Sequence, residues 1–465
     1  MAPLAPRFDV TAPAVPLADL GHVHLIAIGG AGMSAVARLL LARGVTVSGS
    51  DAADSPTLEV LRSLGARVHV GHDADHLTGV DTVVVSSAIR DDNLELAAAR
   101  TMGLRVLHRS QALASLMAGS RRVAVAGANG KTTTTSMLVV ALEAAGADPC
   151  FASGGEIAQL GTNAAIGSGD AFVVEADESD GSFLAYRPDV AVVTNVQPDH
   201  LDYYGTAERV EQAYTEFVST VPADGLVVAC WDDPGSRRLA RAVRDRGRDV
   251  VTYGYRAGAD LQVLSTEPDG LGTRSPFVVA GVERILDLAV PGEHNVMDAC
   301  AAYLAAVEGL GAAADAVLVG LAGFAGARRR FEVRGEVGGV TVVDDYAHNA
   351  PKVAAVVGTA AALVRRAGTG SVRVIFQPHL YTRTRDFAAE FAAALAPADQ
   401  VVLLDVYGAR EAPVEGISSS LIGDPLVALP GERTVLVGTA RDDAVAAVAA
   451  AAAPGDLVLV VGAGD

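Results

Sequence analysis

Short runs rich in valine, isoleucine and leucine alternate along the chain with longer alanine- and leucine-rich stretches of helical period. A strand in a parallel sheet is covered on both faces and reads as an unbroken apolar run, whereas the helix that follows shows a single apolar stripe. The alternation predicts an α/β protein built on parallel sheets. Strands are expected at His24 to Ile28, Thr46 to Ser48, Thr82 to Ser86, Val123 to Ala126, Ala171 to Glu175, Val190 to Thr194, Leu226 to Ala229, Val340 to Val343, Val372 to Phe376, Val401 to Leu404 and Leu457 to Val461. Between Gly254 and Ala289 the pattern changes to short strands, with turns expected at Pro268-Asp269-Gly270 and at Pro276. Two glycine-rich strand-to-helix turns, around Gly30 and around Gly130, suggest two successive nucleotide-type domains. Breaks near Ala118-Gly119-Ser120 and between Gly323 and Ala327 divide the chain into domains at 1–119, 120–325 and 326–465.

Composition narrows the partners. The chain has 465 residues, half of them apolar, enough for several cores. Its 36 basic and 55 acidic residues leave a formal net charge of -19. Nucleic acid and anionic membrane surfaces need clustered positive charge, so neither is expected as a partner. An anionic ligand must therefore be held locally, by loops and helix N-termini. Three widely spaced cysteines, Cys150, Cys230 and Cys300, make neither a disulfide framework nor a metal cluster, which fits a reducing compartment. Met1 to Asp19 lacks the basic flank and apolar core of a signal peptide, and Ala444 to Ala453 is too short to span a bilayer. A cytoplasmic protein without membrane insertion is the expectation. Only two of the basic residues are lysines, Lys131 and Lys352, so each invites a chemical question.

The first glycine turn is Gly29-Gly30-Ala31-Gly32-Met33-Ser34-Ala35, in which Gly30, Gly32 and Ala35 fit G-x-G-x-x-G/A between a strand and a helix. Glycines there let backbone amides approach a diphosphate at the helix N-terminus, and Asp51, closing the second strand, can accept from ribose hydroxyls. By itself the turn does not tell NAD from another diphosphate nucleotide, nor from a tight turn without ligand.

The second turn is Gly127-Ala128-Asn129-Gly130-Lys131-Thr132-Thr133, which precedes an apolar helix. The usual P-loop has a further glycine where Val125 stands, so this is a shortened phosphate loop. Its amides can cradle phosphates, Lys131 adds a point charge and Thr132 can ligate Mg²⁺, which reads as an ATP site. The metal needs acids at a neighbouring strand end, and Ala171 to Val174 delivers Glu175-Ala176-Asp177-Glu178-Ser179-Asp180. Glu175, directly after the apolar run, is the expected Mg²⁺ ligand. The next strand ends near His200, placed at the same sheet edge for a second metal ion.

G-A-N-G-K-T-T at 127–133, E-A-D-E-S-D at 175–180, T-N-V-Q-P-D-H-L-D at 194–202 and P-G-E-H-N at 291–295 together resemble the Mur ligases of peptidoglycan synthesis. G-G-A-G-M-S at 29–34, D-D-Y-A-H at 344–348 and F-Q-P-H-L-Y-T-R-T-R-D at 376–386 resemble the alanine-adding branch of that family. The resemblance implies three domains: N-terminal Rossmann-like for a UDP-sugar, central P-loop ATPase-type, and C-terminal Rossmann-like closing over ATP and amino acid. It implies ATP-dependent ligation of L-alanine to the lactyl carboxylate of UDP-N-acetylmuramate through an acyl phosphate. By the same resemblance, Gly29, Gly30, Ala31, Gly32, Met33, Ser34 and Asp51 would hold the UDP-sugar. Residues 127–133 would hold ATP, with Gly127, Ala128, Asn129, Gly130 and Thr133 around Lys131 on the β- and γ-phosphates. Thr132 and Glu175 would serve one Mg²⁺ and His200 the second, with Glu178 as a helper. His294 and Asn295 would meet adenine, Asp345 the ribose and Arg329 an ATP phosphate, while His348 and Arg383 would hold the amino-acid carboxylate. Lys131, Glu175, His200 and His348 make up the implied catalytic set.

Three departures stand out. Asn349-Ala350-Pro351 follows His348 where many relatives read H-P, Leu380 replaces a frequent arginine, and the chain stops at Gly462-Ala463-Gly464-Asp465 where relatives continue with a helix. Between Asp202 and Pro351 there is no lysine, so the carbamylated lysine of ligases that add later residues has no counterpart. Rival readings are a recycling ligase that joins a tripeptide to the same sugar, an NAD-dependent oxidoreductase on Gly30, Gly32 and Asp51, and a silent nucleotide-binding regulator. The F-Q-P-H-L-Y-T-R-T-R run and D-V-Y-G-A-R-E at 405–411 favour alanine addition. The oxidoreductase leaves Lys131, Glu175 and His200 without work, and a silent regulator would not need intact metal acids.

Overall fold

The computed structural model describes residues 8–409 and 411–464, and Arg410 of the D-V-Y-G-A-R-E run lies outside them. Three sheets carry the fold. Contacts gather the chain into two compact units, one comprising residues up to Glu267 with Arg274–Leu288 and Asn295–Ala325, the other Pro268–Thr273, Ala289–His294 and Gly326–Asp465.

The first unit holds two sheets. One has five parallel strands in the order Arg67–Val70, Val47–Asp51, Val23–Ile26, Thr82–Val85, Arg105–His108. The strand order reverses beside Val23–Ile26, and at such a switch point the strands' C-terminal ends open a crevice for ligands. In the second sheet Arg121–Ala126 lies between Ala171–Glu175 and Val190–Val193, all parallel. Both parallel neighbours of the second glycine turn therefore end beside it, which is why the acid loop and the His200 loop arrive at one edge. One continuous apolar cluster, from Leu20 to Val243, joins the helices of the two sheets.

The second unit is a six-stranded sheet: Glu332–Val337 antiparallel to Val340–Asp345, then Leu457–Gly462, Val372–Gln377, Gln400–Leu404 and Thr434–Thr439 in parallel. Val343, Val353, Val357 and Phe376 fill one face, and Val402, Ala444 and Val448 the other.

The expected strands form, with ends displaced by up to three residues. Arg67–Val70, Arg105–His108, Cys150–Ile157, Thr162–Ala165, Val250–Gly254, Glu332–Val337 and Thr434–Thr439 are strands that the apolar pattern does not announce; the first two are short and begin with arginine, and the third is interrupted by Gly154 and Gly155. Pro276 makes no turn. It lies within the strand Gly272–Val279, where its carbonyl accepts from the Leu264 amide and no N–H is required of it.

Candidate active site

The second glycine turn is shaped by its neighbours. Gly130 takes φ +86 as the N-cap of the helix Lys131–Ala144, and Gly127 takes φ +143. A Cβ on Gly127 would lie 1.9 Å from Thr194 Oγ1, and one on Gly130 2.4 Å from Asp298 Oδ1, so both positions require glycine. The loop is braced from the next strand. Thr194 Oγ1 donates to the Asn129 carbonyl at 2.6 Å, and the Asn129 amide donates to Asn195 Oδ1 at 3.0 Å. The Lys131 ammonium donates to the Gly127 carbonyl at 2.6 Å and to both Glu178 oxygens at 2.9 and 3.1 Å.

Charge in this pocket is finely divided. Burial alone would lower the pKa of Lys131, but Glu178, Asp177 and Glu175 outweigh it and raise it above the ordinary lysine value. Burial pushes the Glu178 carboxyl up despite Lys131. Asp177 moves the other way, because Lys131 and Arg109 more than offset its burial. Asp177, Glu178 and His200 each bring a ligand atom within 4.8 Å of the others. His200 takes φ +53 at the head of a short helix, with Nε2 3.8 Å from Glu178 and 3.9 Å from Asp199.

Glu175 and Thr132 arrive elsewhere. The Glu175 carboxylate accepts the Gly154 amide at 2.8 Å, and a Cβ on Gly155 would stand 3.3 Å from Thr132 Cγ2. Both acid-loop and P-loop candidates thus border the Gly154-Gly155 segment, while the set able to hold a cation centres on Asp177, Glu178 and His200.

In the first turn, Gly30 caps the helix Ala31–Ala42 and the Gly29 amide donates to Asp51 Oδ2 at 2.9 Å. Asp51 therefore shapes the turn as well as closing its strand. Met33 is buried in the core, and Ser34 turns its hydroxyl back to the Ala31 carbonyl, so these two offer a ligand their backbone.

In the second unit, both Asp345 oxygens accept backbone amides at 2.7 Å, from Phe331 and Ala347, and burial raises its pKa. Arg329, at φ +57, donates to the Gly462 and Gly464 carbonyls at 2.8 and 2.7 Å and stacks over Tyr346. Burial lowers His294 to about 4. His348 falls to about 2, through burial and the Lys352 charge, with Arg383 and His379 adding to it against the raising Tyr346 bond. Its Nδ1 lies 2.8 Å from the Tyr346 carbonyl, and Arg383 Nη1 reaches both the His348 carbonyl and His379 Nδ1 at 3.4 Å. Leu380 is buried, at φ +70, so the position of the frequent arginine is a piece of wall here.

Residues 22–121 match the Mur ligase family, catalytic domain; 125–306 match the Mur ligase middle domain; 329–464 match the Mur ligase, glutamate ligase domain. This chain belongs to the Mur ligase family. A UDP-N-acetylmuramate--L-alanine ligase of Kineococcus radiotolerans is 57% identical to this Mur ligase over 97% of the chain and 94% of its own length. The crystal structure of the UDP-N-acetylmuramate-alanine ligase of Thermotoga maritima superposes with a TM-score of 0.78 at 29% identity, covering 96% of each chain. A murein peptide ligase of Psychrobacter arcticus shares the fold, with a TM-score of 0.68 at 24% identity over 96% of each chain.

Sequence reasoning had passed over three side chains of this Mur ligase. Asp177 stood inside the quoted acid motif but was given no role; it lies two residues past the strand end, where alternation no longer says which way a side chain points. Lys352 and His379 flank His348, and no local pattern announces that contact.

Proposed function

We propose that this Mur ligase joins L-alanine to the lactyl carboxylate of UDP-N-acetylmuramate, converting ATP to ADP and phosphate. The observation that carries the ATP-dependent half is the Lys131 ammonium, held on its glycine turn beside Asp177, Glu178 and His200. The choice of L-alanine rests on the Kineococcus radiotolerans relative, at 57% identity across nearly the whole chain. A tripeptide as the added group is less favoured, because the murein peptide ligase resembles this chain at the level of fold. The three domains at 1–119, 120–325 and 326–465 would serve the UDP-sugar, ATP, and ATP with the amino acid, in a cytoplasmic enzyme.

Two steps make the amide. A lactyl carboxylate oxygen attacks the γ-phosphorus and ADP leaves; the alanine amine then attacks the acyl carbon and phosphate leaves. The protein's part is alignment and charge neutralisation. Amides of Gly130 to Thr133, with Lys131, would take the charge of the β- and γ-phosphates, while the Asn129 amide is committed to Asn195. Mg²⁺ takes carboxylate oxygens, so Asp177 and Glu178 would hold it with His200 beside them, while Thr132 and Glu175 stand apart at the Gly154-Gly155 segment. A cation there would screen the charge of the transferred phosphoryl group. His294 and Asn295 would face adenine, and Arg329 and Asp345 the phosphates and ribose. His348 gains a sharper role. As a neutral imidazole whose Nδ1–H faces the Tyr346 carbonyl, it presents Nε2 as an acceptor, suited to the alanine amine, and leaves the carboxylate to Arg383.

Incubation with UDP-N-acetylmuramate, ATP and Mg²⁺, with L-alanine or the tripeptide, tests the reading by phosphate release and product mass. L-alanine should turn over. Turnover with tripeptide alone would overturn it.

A further inference from the structure

Arg109 begins the helix Arg109–Leu116, directly after the last strand of the first sheet, and its guanidinium spans from Gly32 of the first turn to Asp177 of the acid loop. Its Nη2 donates to Asp177 Oδ2 at 3.2 Å. Its Nη1 is only 2.1 Å from where a Cβ on Gly32 would stand. In a G-x-G-x-x-G/A turn, that second glycine lacks a side chain so that a diphosphate can come close to the backbone. Here the space above Gly32 holds a cation. Asp177 in turn belongs to the cation-ligating group, and Glu178 of that group binds Lys131 on the second turn. An unbroken polar path therefore runs from Gly32 through Arg109 and Asp177 to Lys131.

We propose that Arg109 is a binding residue for the diphosphate of UDP-N-acetylmuramate, held in place by Asp177 and so tying the sugar nucleotide to the phosphoryl-transfer acids. A planar guanidinium can grip phosphate oxygens with one edge while keeping a carboxylate on another, which a lysine cannot reproduce. The inference rests on the proposed placement of the UDP-sugar on the Gly30 turn.

The test compares KM for each substrate in Arg109→Gln, Arg109→Lys and Gly30→Ala. A methyl on Gly30 meets nothing in the protein nearer than 3.5 Å, so that variant probes the ligand and not the fold. Arg109→Gln should raise KM for UDP-N-acetylmuramate at least tenfold and leave KM for ATP and L-alanine near the parent; Arg109→Lys should recover part of the loss. Should Arg109→Gln fail to fold, Arg109→Lys carries the test through a several-fold rise confined to the UDP-sugar. An unchanged KM for UDP-N-acetylmuramate in the Arg109 variants, or an equal rise for all three substrates, would overturn the proposal. A Gly30→Ala enzyme with normal KM would instead remove the UDP-sugar from this turn and with it the premise.

Discussion

Lys131→Met separates binding from chemistry, because the lysine is already saturated before ATP arrives. Three acceptors, the Gly127 carbonyl and both Glu178 oxygens, lie within 3.1 Å of its ammonium. Ground-state binding of ATP must exchange some of these bonds for phosphate contacts, and each charge-assisted bond is worth about 1.5–3 kcal/mol. Gain and loss nearly cancel, so KM for ATP should change less than about tenfold, a limit of ~1.4 kcal/mol. Charge that builds up during phosphoryl transfer has no such counterpart in the resting protein. Losing one preorganised cation should cost about 3 kcal/mol there, roughly a 150-fold fall in kcat. Steady-state kinetics with ATP as the varied substrate measures both. A variant with kcat within tenfold of the parent would refute the phosphate role of Lys131.

The same substitution has a consequence for stability with a definite sign. Without the ammonium, Glu178 is left 2% exposed beside Asp177. A stranded buried charge typically costs about 3–5 kcal/mol, but a carboxyl whose folded pKa is already raised escapes part of it by taking a proton. A raised carboxyl pKa means the native state binds more protons than the unfolded one, so stability falls as pH rises above the unfolded value. Urea unfolding should find Lys131→Met nearest the parent at acid pH and progressively weaker toward neutrality. A deficit that grows as pH falls would contradict the assignment.

Glu95 is fully buried and receives His72 Nδ1 at 2.9 Å, His76 Nδ1 at 2.8 Å and Ser50 Oγ at 2.5 Å, with His24 Nε2 at 3.4 Å. These partners outweigh its burial and lower its pKa from 4.5 to about 2. Glu95→Gln should therefore cost about 3 kcal/mol at neutral pH, a deficit that shrinks as pH falls from 4.5 toward 2; a pH-independent deficit in denaturant unfolding would rule out the linkage. Gly127→Ala should destabilise by roughly 2–4 kcal/mol, since it forces a Cβ into Thr194 and disrupts the Thr194–Asn129 bond; thermal unfolding within one degree of the parent would count against that geometry.

What the sequence disclosed depended on how far apart in the chain each feature's parts lie. Lys131 was legible because turn, charge and helix are contiguous, and Ala171–Glu175 because a doubly covered strand cannot hide its apolar run. Arg109 was not legible: it is one of many arginines, and its meaning comes from Gly32 and Asp177, which approach it only in the folded chain. The Glu95 cluster likewise assembles from His24, Ser50, His72 and His76 on separate elements.

The strand Cys150–Ile157 is hidden because its glycines accommodate two close approaches. A Cβ on Gly154 would stand 2.5 Å from the Glu175 carboxylate, and Gly155 lies against Thr132, so the residues that break its strand pattern are those that let an acid and a phosphate-loop threonine come close. Local rules fail where a site has to be built. The net charge of -19 poses the same problem at larger scale. A nucleotide sugar, ATP and an amino-acid carboxylate can be held by an acidic protein only if cations are placed one at a time, and the structure places Lys131 against Glu178, Arg109 against Asp177 and Arg329 against the Gly462 and Gly464 carbonyls. Each is held by an acceptor it could trade for a ligand, and for Lys131 and Arg109 that acceptor is one of the acids that make the chain anionic.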